Sequence, residues 1–311
     1  MSAELAAGLL KTLRAEELRA LVAVELGMVS HEFTPFNQIV NYSGLNLAEA
    51  DYSLSRLHRF GLLSRRSKPF LGYALNAAAY DCLALNALVK GDHLEALGKP
   101  LGIGKESDVY DALTPKGERV AVKFQRIGRT SFRQTRRQRG YVAGRRHISW
   151  LYEGRLAAER EFAALHRLHA AGVAVPEPIA WNRHIIVMEI ILGAELADYY
   201  DVPQARAILE EILENLRTAY VKARLIHADL SEYNVVIKPD GHIFLIDWPQ
   251  CIEASQEDAQ TYLKRDVETI LKFFRRKFRL AFDPGEALRF VEGTGKSPGG
   301  SAPRRFAKPG R

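Results

Sequence analysis

Between Ile226 and Gln250 the chain reads IHADLSEYNVVIKPDGHIFLIDWPQ, an order of residues that few folds accommodate. His227 is followed two residues later by Asp229 and, five beyond that, by Asn234. Two short apolar runs come next, joined by the turn KPDGH, and Asp247 closes the second. In the form H-x-D-x-x-x-x-N an aspartate can receive or orient a nucleophile's proton while the amide holds magnesium. A carboxylate ending the neighbouring strand adds a hard oxygen ligand suited to the same ion. The plainer alternative is a capping Asp and a turn Asn.

Upstream, residues 101–113 read LGIGKESDVYDAL. A P-loop needs Ser or Thr directly after its lysine, whereas Lys105 is followed by Glu106; a dinucleotide fingerprint needs a helix, whereas DVYDALT has a strand pattern. A glycine loop between two strands, with Lys123 of VAVK nineteen residues after Gly104, matches the arrangement that covers ATP in protein kinases. On this reading Gly102 and Gly104 allow close backbone approach, and Ser107 offers a hydroxyl and an amide to a phosphate oxygen. Lys105 adds charge at the tip, and Glu106 must turn toward a base or the metal to avoid repulsion. Lys123 would hold the α- and β-phosphates of ATP. Asn234 and Asp247 would hold Mg2+, and Asp229 would face the acceptor. The catalytic set is then Lys123, Asp229 and Asp247. A helix carboxylate should orient Lys123: Glu161 is the choice and Glu159 the fallback, since two residues two apart point about 200° from one another. Met188, Glu189 and Ile191 would border the adenine.

The first 90 residues carry different punctuation. Helical spacing over 15–26, Thr34–Pro35 as a cap and first turn, and a third helix from Leu47 to Phe60 stopped by Gly61 give helix, turn, helix. LLSRRS and FLGYAL then read as a hairpin, with a further helix after Asn76. This pattern resembles a winged helix-turn-helix domain. Its third helix would offer Asn46, Ser53 and Arg56 to a groove, and its hairpin would offer Arg65, Arg66 and Lys68 to phosphates. The fold class expected for the whole is α+β: a compact, two-lobed protein-kinase-like domain over 91–283, preceded by this α-rich domain over 1–90. A basic Gly/Pro-rich tail over 284–311 reads as disordered. A long amphipathic helix is expected from Ala205 to Leu225.

Charge narrows the partners. Formal net charge is +7 and the pI about 9.3, which favours polyanions. From Arg119 to Tyr152 there is no Asp or Glu but ten Lys or Arg, including Arg133, Arg136, Arg137, Arg139, Arg145 and Arg146, so this stretch should be drawn to phosphate backbones. Cys82 and Cys251 stand far apart, outside any metal-ligand spacing, which suits a reducing compartment. The amino terminus lacks the basic start of a secretory signal, and the longest apolar cluster, IIVMEIIL, is too short to span a bilayer. A cytoplasmic protein without membrane contact is expected.

Together GIGKESDVY, VAVKF, HADLSEYN and LIDWPQ, behind a winged helix, resemble the RIO family of atypical protein kinases, in its second subfamily, over nearly the whole chain apart from the tail. The absence of DFG and APE motifs agrees with that compact kinase type. The resemblance implies Mg-ATP as cofactor, Asp247 as metal ligand and acceptor of an aspartyl phosphate, and ATPase-driven cycling. It also implies work on the precursor of the small ribosomal subunit and its rRNA, with a monomer favoured. Two other readings stay open. An aminoglycoside- or choline-type small-molecule kinase shares the H-x-D loop, though it normally needs a large acidic C-terminal lobe. Alternatively, a nucleic-acid-binding regulator could use a kinase-like part to sense ATP.

Overall fold

The computed structural model describes residues 2–127, 150–200 and 204–296. The chain forms two compact units, one of residues 1–159 with 179–189 and the other of 160–178 with 190–311.

Unit 1 opens with α1 (Ser2–Leu10) and α2 (Ala15–Gly27), then β1 (Thr34–Pro35), α3 (Phe36–Ser43) and α4 (Leu47–Arg59). A hairpin of β2 (Leu63–Arg66) and β3 (Gly72–Leu75) follows, and then α5 (Ala77–Lys90). The helix, turn, helix and hairpin succession expected from the sequence is present. Thr34 has a different role from the one expected, because it pairs with Tyr73 in the sheet order β1-β3-β2 and its hydroxyl donates to the Val24 carbonyl at 3.0 Å. Pro35 takes the N-cap position of α3 instead.

The α5 sequence AAAYDCLALNALVK combines strong helix formers with apolar residues on every side, the pattern of a helix meant for burial. Asn76 caps it by accepting from Ala79 N–H at 3.1 Å. Leu83, Leu85 and Leu88 of α5 join one continuous core that also contains Leu54, Leu57, Tyr110, Val122, Phe124, Ile185 and Val187. The boundary drawn at residue 90 therefore does not separate two cores. Beyond it stands a five-stranded sheet of β4 (Ala96–Ile103), β5 (Ser107–Leu113), β6 (Arg119–Gln125), β7 (Pro178–Asn182) and β8 (Ile185–Glu189), in the order β4-β5-β6-β8-β7.

Asp81, Asp108, Arg126 and His184 form a polar network inside this core. Arg126 Nη1 and Nη2 donate to Asp81 of α5 at 2.7 and 2.9 Å, Arg126 Nε donates to Asp108 at 2.8 Å, and His184 Nε2 donates to Asp81 at 2.7 Å. Burial alone would push the Asp81 carboxyl up, but the hydrogen bonds from His184 and Arg126 outweigh it and hold the group below its ordinary 3.8. A depressed folded-state value means stability present above 3.8 and lost as pH falls through the lower folded value. Urea titrations from about pH 5 down to about pH 2.5 should show stability falling in this acid window, and Asp81→Asn should make the fall shallower. An unaltered slope in the variant would show that Asp81 is not the group responsible.

Unit 2 begins within α6 (Trp150–Ala171), which Gly172 ends at φ +87. It continues with β9 (Ala194–Glu195), α7 (Ala205–Thr218), β10 (Leu225–Ile226), β11 (Val235–Ile237), β12 (Ile243–Leu245), β13 (Ile252–Glu253), α8 (Ala259–Phe278) and α9 (Pro284–Val291). Ile208, Leu209, Ile212, Leu213 and Leu216 form the buried stripe of α7. The expected helix to Leu225 stops earlier: at Thr218 the α-helix gives way to a π-helical turn, Ala219–Ala223, which Arg224 closes at φ +57. Phe273 and Phe274 of α8 are buried, and Phe273 packs edge to face on both Phe274 and Phe278, which makes KFFRRKF an internal aromatic cluster.

The expected start of a disordered tail at 284 is corrected, because residues 284–291 are helical. Asp283 caps α9 by accepting from Glu286 N–H at 2.8 Å, Pro284 suits its first turn, and Ala287, Phe290 and Val291 are buried. Residues 297–311 lie outside the described residues.

Candidate active site

The residues expected to act are distributed over both units. In unit 1, β4 and β5 pair at Gly102↔Val109 and Ile103↔Asp108, so Gly102 belongs to a strand and the glycine loop shortens to a hairpin tip. Gly104 N–H donates to the Ser107 carbonyl at 2.8 Å, which leaves Lys105 and Glu106 at the exposed tip. A Cβ on Gly104 would stand 3.1 Å from the Ser107 carbonyl oxygen, tight enough to disturb this closure. Two register shifts in β4, between Leu97 and Pro100 and between Pro100 and Gly102, bend the strand leading into it. Lys123 lies on β6 opposite Val109 on one side and Ile186 on the other, and it is buried. Met188 and Glu189 pair with Ala121 and Val120. Strand β8 ends at Glu189, so Ile191 cannot offer strand backbone as expected.

In unit 2 the β11–β12 register, Val235↔Leu245 to Ile237↔Ile243, brings Asn234 and Asp247 to the same end of one hairpin. Ile246 N–H extends the ladder by donating to the Asn234 carbonyl at 2.9 Å. Asn234 Nδ2 donates to the Asp229 carbonyl at 2.9 Å, which ties the amide to the loop that carries the acid. Asp229 itself is exposed. His227 is buried; its ring Nε2–H donates to the Ile246 carbonyl at 3.0 Å and the ring packs on Trp248 with centroids 4.5 Å apart. The first histidine of the motif is thus a brace between two loops.

Two backbone positions here are strained. Ala228 has φ +64 and Asp247 φ +66, a conformation that costs a non-glycine residue about 1–2 kcal/mol. Each has a visible restraint. Asp266 on α8, buried, accepts from Ala228 N–H at 2.7 Å and Leu230 N–H at 3.2 Å, bracketing Asp229, and Arg265 donates to the Ala228 carbonyl. Burial raises the Asp266 carboxyl above its ordinary value despite the two N–H donors. After Asp247, the Trp248 N–H donates to Glu161 Oε1 on α6 at 3.2 Å, and the buried indole donates to the Leu245 carbonyl at 3.1 Å. Glu161 is buried while Glu159 is exposed, so burial favours the first of the two carboxylates named from the sequence.

The helical part of unit 1 uses the groove residues otherwise than expected. Asn46 caps α4 by accepting from Glu49 N–H at 2.9 Å, Ser53 is buried, and Arg56 pairs with the buried Glu17 at 3.1 Å. Structural roles therefore occupy all three. On the hairpin Arg65 and Lys68 are exposed, while Arg66 is half-buried between the rings of Phe33 and Phe70. Arg133, Arg136, Arg137, Arg139, Arg145 and Arg146 lie outside the described residues. Burial pushes the Cys82 and Cys251 thiols up to about 12 and about 11, which disfavours the thiolate a metal would need. Among the described residues no group of three or more His, Cys, Asp or Glu could hold a metal. Also among these residues, no helix is long and apolar enough to cross a membrane.

Sequence comparison decides the family. A family described as RIO domain matches residues 108–287, and one described as Rio2, N-terminal matches residues 10–91. The chain belongs to the RIO family of atypical protein kinases. It is 41% identical over 254 residues to the RIO-type serine/threonine-protein kinase Rio2 of Methanocaldococcus jannaschii, covering 80% of this chain and 92% of that one. Identity to the serine/threonine-protein kinase rio2 of Schizosaccharomyces pombe is 37%, over 88% of this chain and 80% of the relative. Among solved structures, the Rio2 kinase of Chaetomium thermophilum in an ADP/Mg2+-phosphoaspartate complex superposes with a TM-score of 0.81 at 30% identity, covering 93% of this chain and 88% of that one. The RIO kinase described here is accordingly an ATP-dependent phosphotransferase, which retires both the small-molecule-kinase reading and that of a regulator without catalysis.

Proposed function

We propose that this RIO kinase is a Mg-ATP-driven switch on the precursor of the small ribosomal subunit, with Asp247 as the carboxylate that accepts the γ-phosphoryl group. The observation carrying it is the hairpin end that sets Asn234 beside Asp247 and ties Asn234 to the Asp229 loop. With its Nδ2 engaged by the Asp229 carbonyl, Asn234 keeps its amide oxygen for a cation. One amide oxygen and one carboxylate, with no cage of three protein ligands among the described residues, suit an ion that takes its remaining ligands from phosphates and water.

Bound Mg-ATP supplies the transferable phosphoryl group and the charge that offsets it. Lys123 holds the α- and β-phosphates, the Lys105–Ser107 tip covers them, and Met188 and Glu189 border the base. Asp247 Oδ forms a bond to the γ-phosphorus as the bond to the β-phosphate oxygen breaks and ADP leaves. Water then cleaves the acyl phosphate, returning the carboxylate and releasing phosphate. Asp229 orients the attacking group. Ser107→Ala should raise the half-saturating Mg-ATP concentration about three- to tenfold with kcat nearly constant, since one ground-state hydrogen bond is lost. An unchanged value would return the tip to an ordinary turn.

The basic stretch with Arg133, Arg136, Arg137, Arg139, Arg145 and Arg146, together with Arg65, Arg66 and Lys68 on the hairpin, is the proposed rRNA-binding surface. A monomeric, cytoplasmic protein fits such a partner. Two measurements test the reading. The protein should co-sediment with small-subunit precursors and leave them on ATP hydrolysis, whereas co-sedimentation indifferent to nucleotide would refute the switch. Replacing Arg136, Arg137 and Arg139 with Ala should flatten the salt dependence of rRNA binding by a slope of about 2–3. An unchanged slope would remove this stretch from the interface.

A further inference from the structure

The buried polar network of unit 1 ends on the nucleotide loop. A guanidinium inside a core needs its charge matched, and a forked pair with a carboxylate also fixes its orientation. Arg126 has such a fork on Asp81 of α5, at 2.7 and 2.9 Å, and a third contact on Asp108 of β5 at 2.8 Å. Asp81 is held in turn by His184, whose ring stacks on Tyr80 with centroids 4.7 Å apart. All of Asp81, Asp108, Arg126 and His184 are at most 5% exposed.

The backbone of Arg126 makes a second connection. One residue past the end of β6, its N–H donates to the Glu106 carbonyl at 2.6 Å. Arg126 therefore grips residue 106 through its main chain and residue 108 through its side chain, with Ser107 between them. Lys123 lies three residues earlier, within β6.

We infer that Asp81 is a positioning residue for the nucleotide loop: by seating Arg126 it fixes both ends of the Glu106–Asp108 segment and so sets where Ser107 and the loop tip meet the phosphates of ATP. The helical part of unit 1 thereby takes part in nucleotide affinity through α5 without lending a side chain to the ligand. This rests on the assignment of the loop to ATP made above.

The test uses the full chain, Mg-ATP hydrolysis and amide hydrogen exchange. Asp81→Asn should raise the KM for Mg-ATP about tenfold while kcat stays within about twofold, because loop placement is a binding effect. The Arg126 amide should exchange about tenfold faster, with the Val122 amide in the middle of β6 unchanged. Glu25→Gln is the control: it weakens the pair of 2.6 Å that Glu25 makes with Arg183 in the same unit, but has no connection to Glu106 and should leave KM alone. Should Asp81→Asn fail to fold, Arg126→Lys carries the test, keeping the charge between the carboxylates while losing the fork; the same rise in KM is expected. Wild-type KM and Arg126 exchange in whichever variant folds would overturn the inference. Lys123→Ala separates the two claims: if it abolishes nucleotide binding while Asp81→Asn is silent, only the positioning role falls, and if it too is silent, the nucleotide site itself is misassigned.

Discussion

Asp247→Asn should reduce transfer from γ-labelled ATP by at least about a thousandfold and abolish any hydroxylamine-sensitive label on the protein. The expected effect is large because the proposed mechanism gives one carboxylate two tasks, holding the cation and receiving the phosphoryl group, and the amide that replaces it is a weak ligand and a poor nucleophile. The left-handed backbone at φ +66, the Trp248 N–H to Glu161 bond and the Ile246 link to Asn234 all involve main-chain atoms or other side chains. These backbone restraints should persist in the variant, and thermal denaturation beside the activity assay separates lost chemistry from lost fold. Label that persists in the variant, or that resists hydroxylamine in the parent protein, would falsify the acyl-phosphate step.

Asp266→Ala should be costly in a different way. It removes the acceptor for two buried N–H groups, Ala228 and Leu230, each worth about 1–2 kcal/mol, so unit 2 should lose about 2–4 kcal/mol. Without that clamp Ala228 can relax from φ +64 and carry Asp229 out of place, and kcat should fall about a hundredfold or more. Asp266→Asn retains an acceptor oxygen and should lie between the two. Denaturation together with turnover checks this: loss of stability with full kcat would show that the clamp holds the fold but not the catalytic loop.

Asp266 was within reach of the sequence. It lies on the apolar stripe of α8 with Leu263, Val267 and Ile270, and a carboxylate on such a stripe needs a donor. What the stripe cannot say is which donors, because they come from a loop more than thirty residues away. Asp81 poses the same question in α5, where an acid stands among the buried residues of a mostly apolar helix. Thr34 departs from its local signal because Thr-Pro before a helix satisfies capping rules, yet α2 accepts its hydroxyl and β3 pairs with its backbone. For Asn46, Ser53 and Arg56, helical spacing distinguishes the faces of the helix but does not say which face is covered.

Chemistry that depends on spacing along the chain was readable without coordinates. The interval from His227 through Asp229 to Asn234, the turn before Asp247 and the lysine strand after the glycine loop are local patterns, and side-chain period and turn chemistry translate them directly into elements. The braces had to come from the fold. His227 on the Ile246 carbonyl, Glu161 on Trp248 N–H, Asp266 on the Asp229 loop and Asp81 on Arg126 each join residues distant in sequence. A buried polar group must find a partner wherever packing places one, and no periodicity along the chain encodes that address.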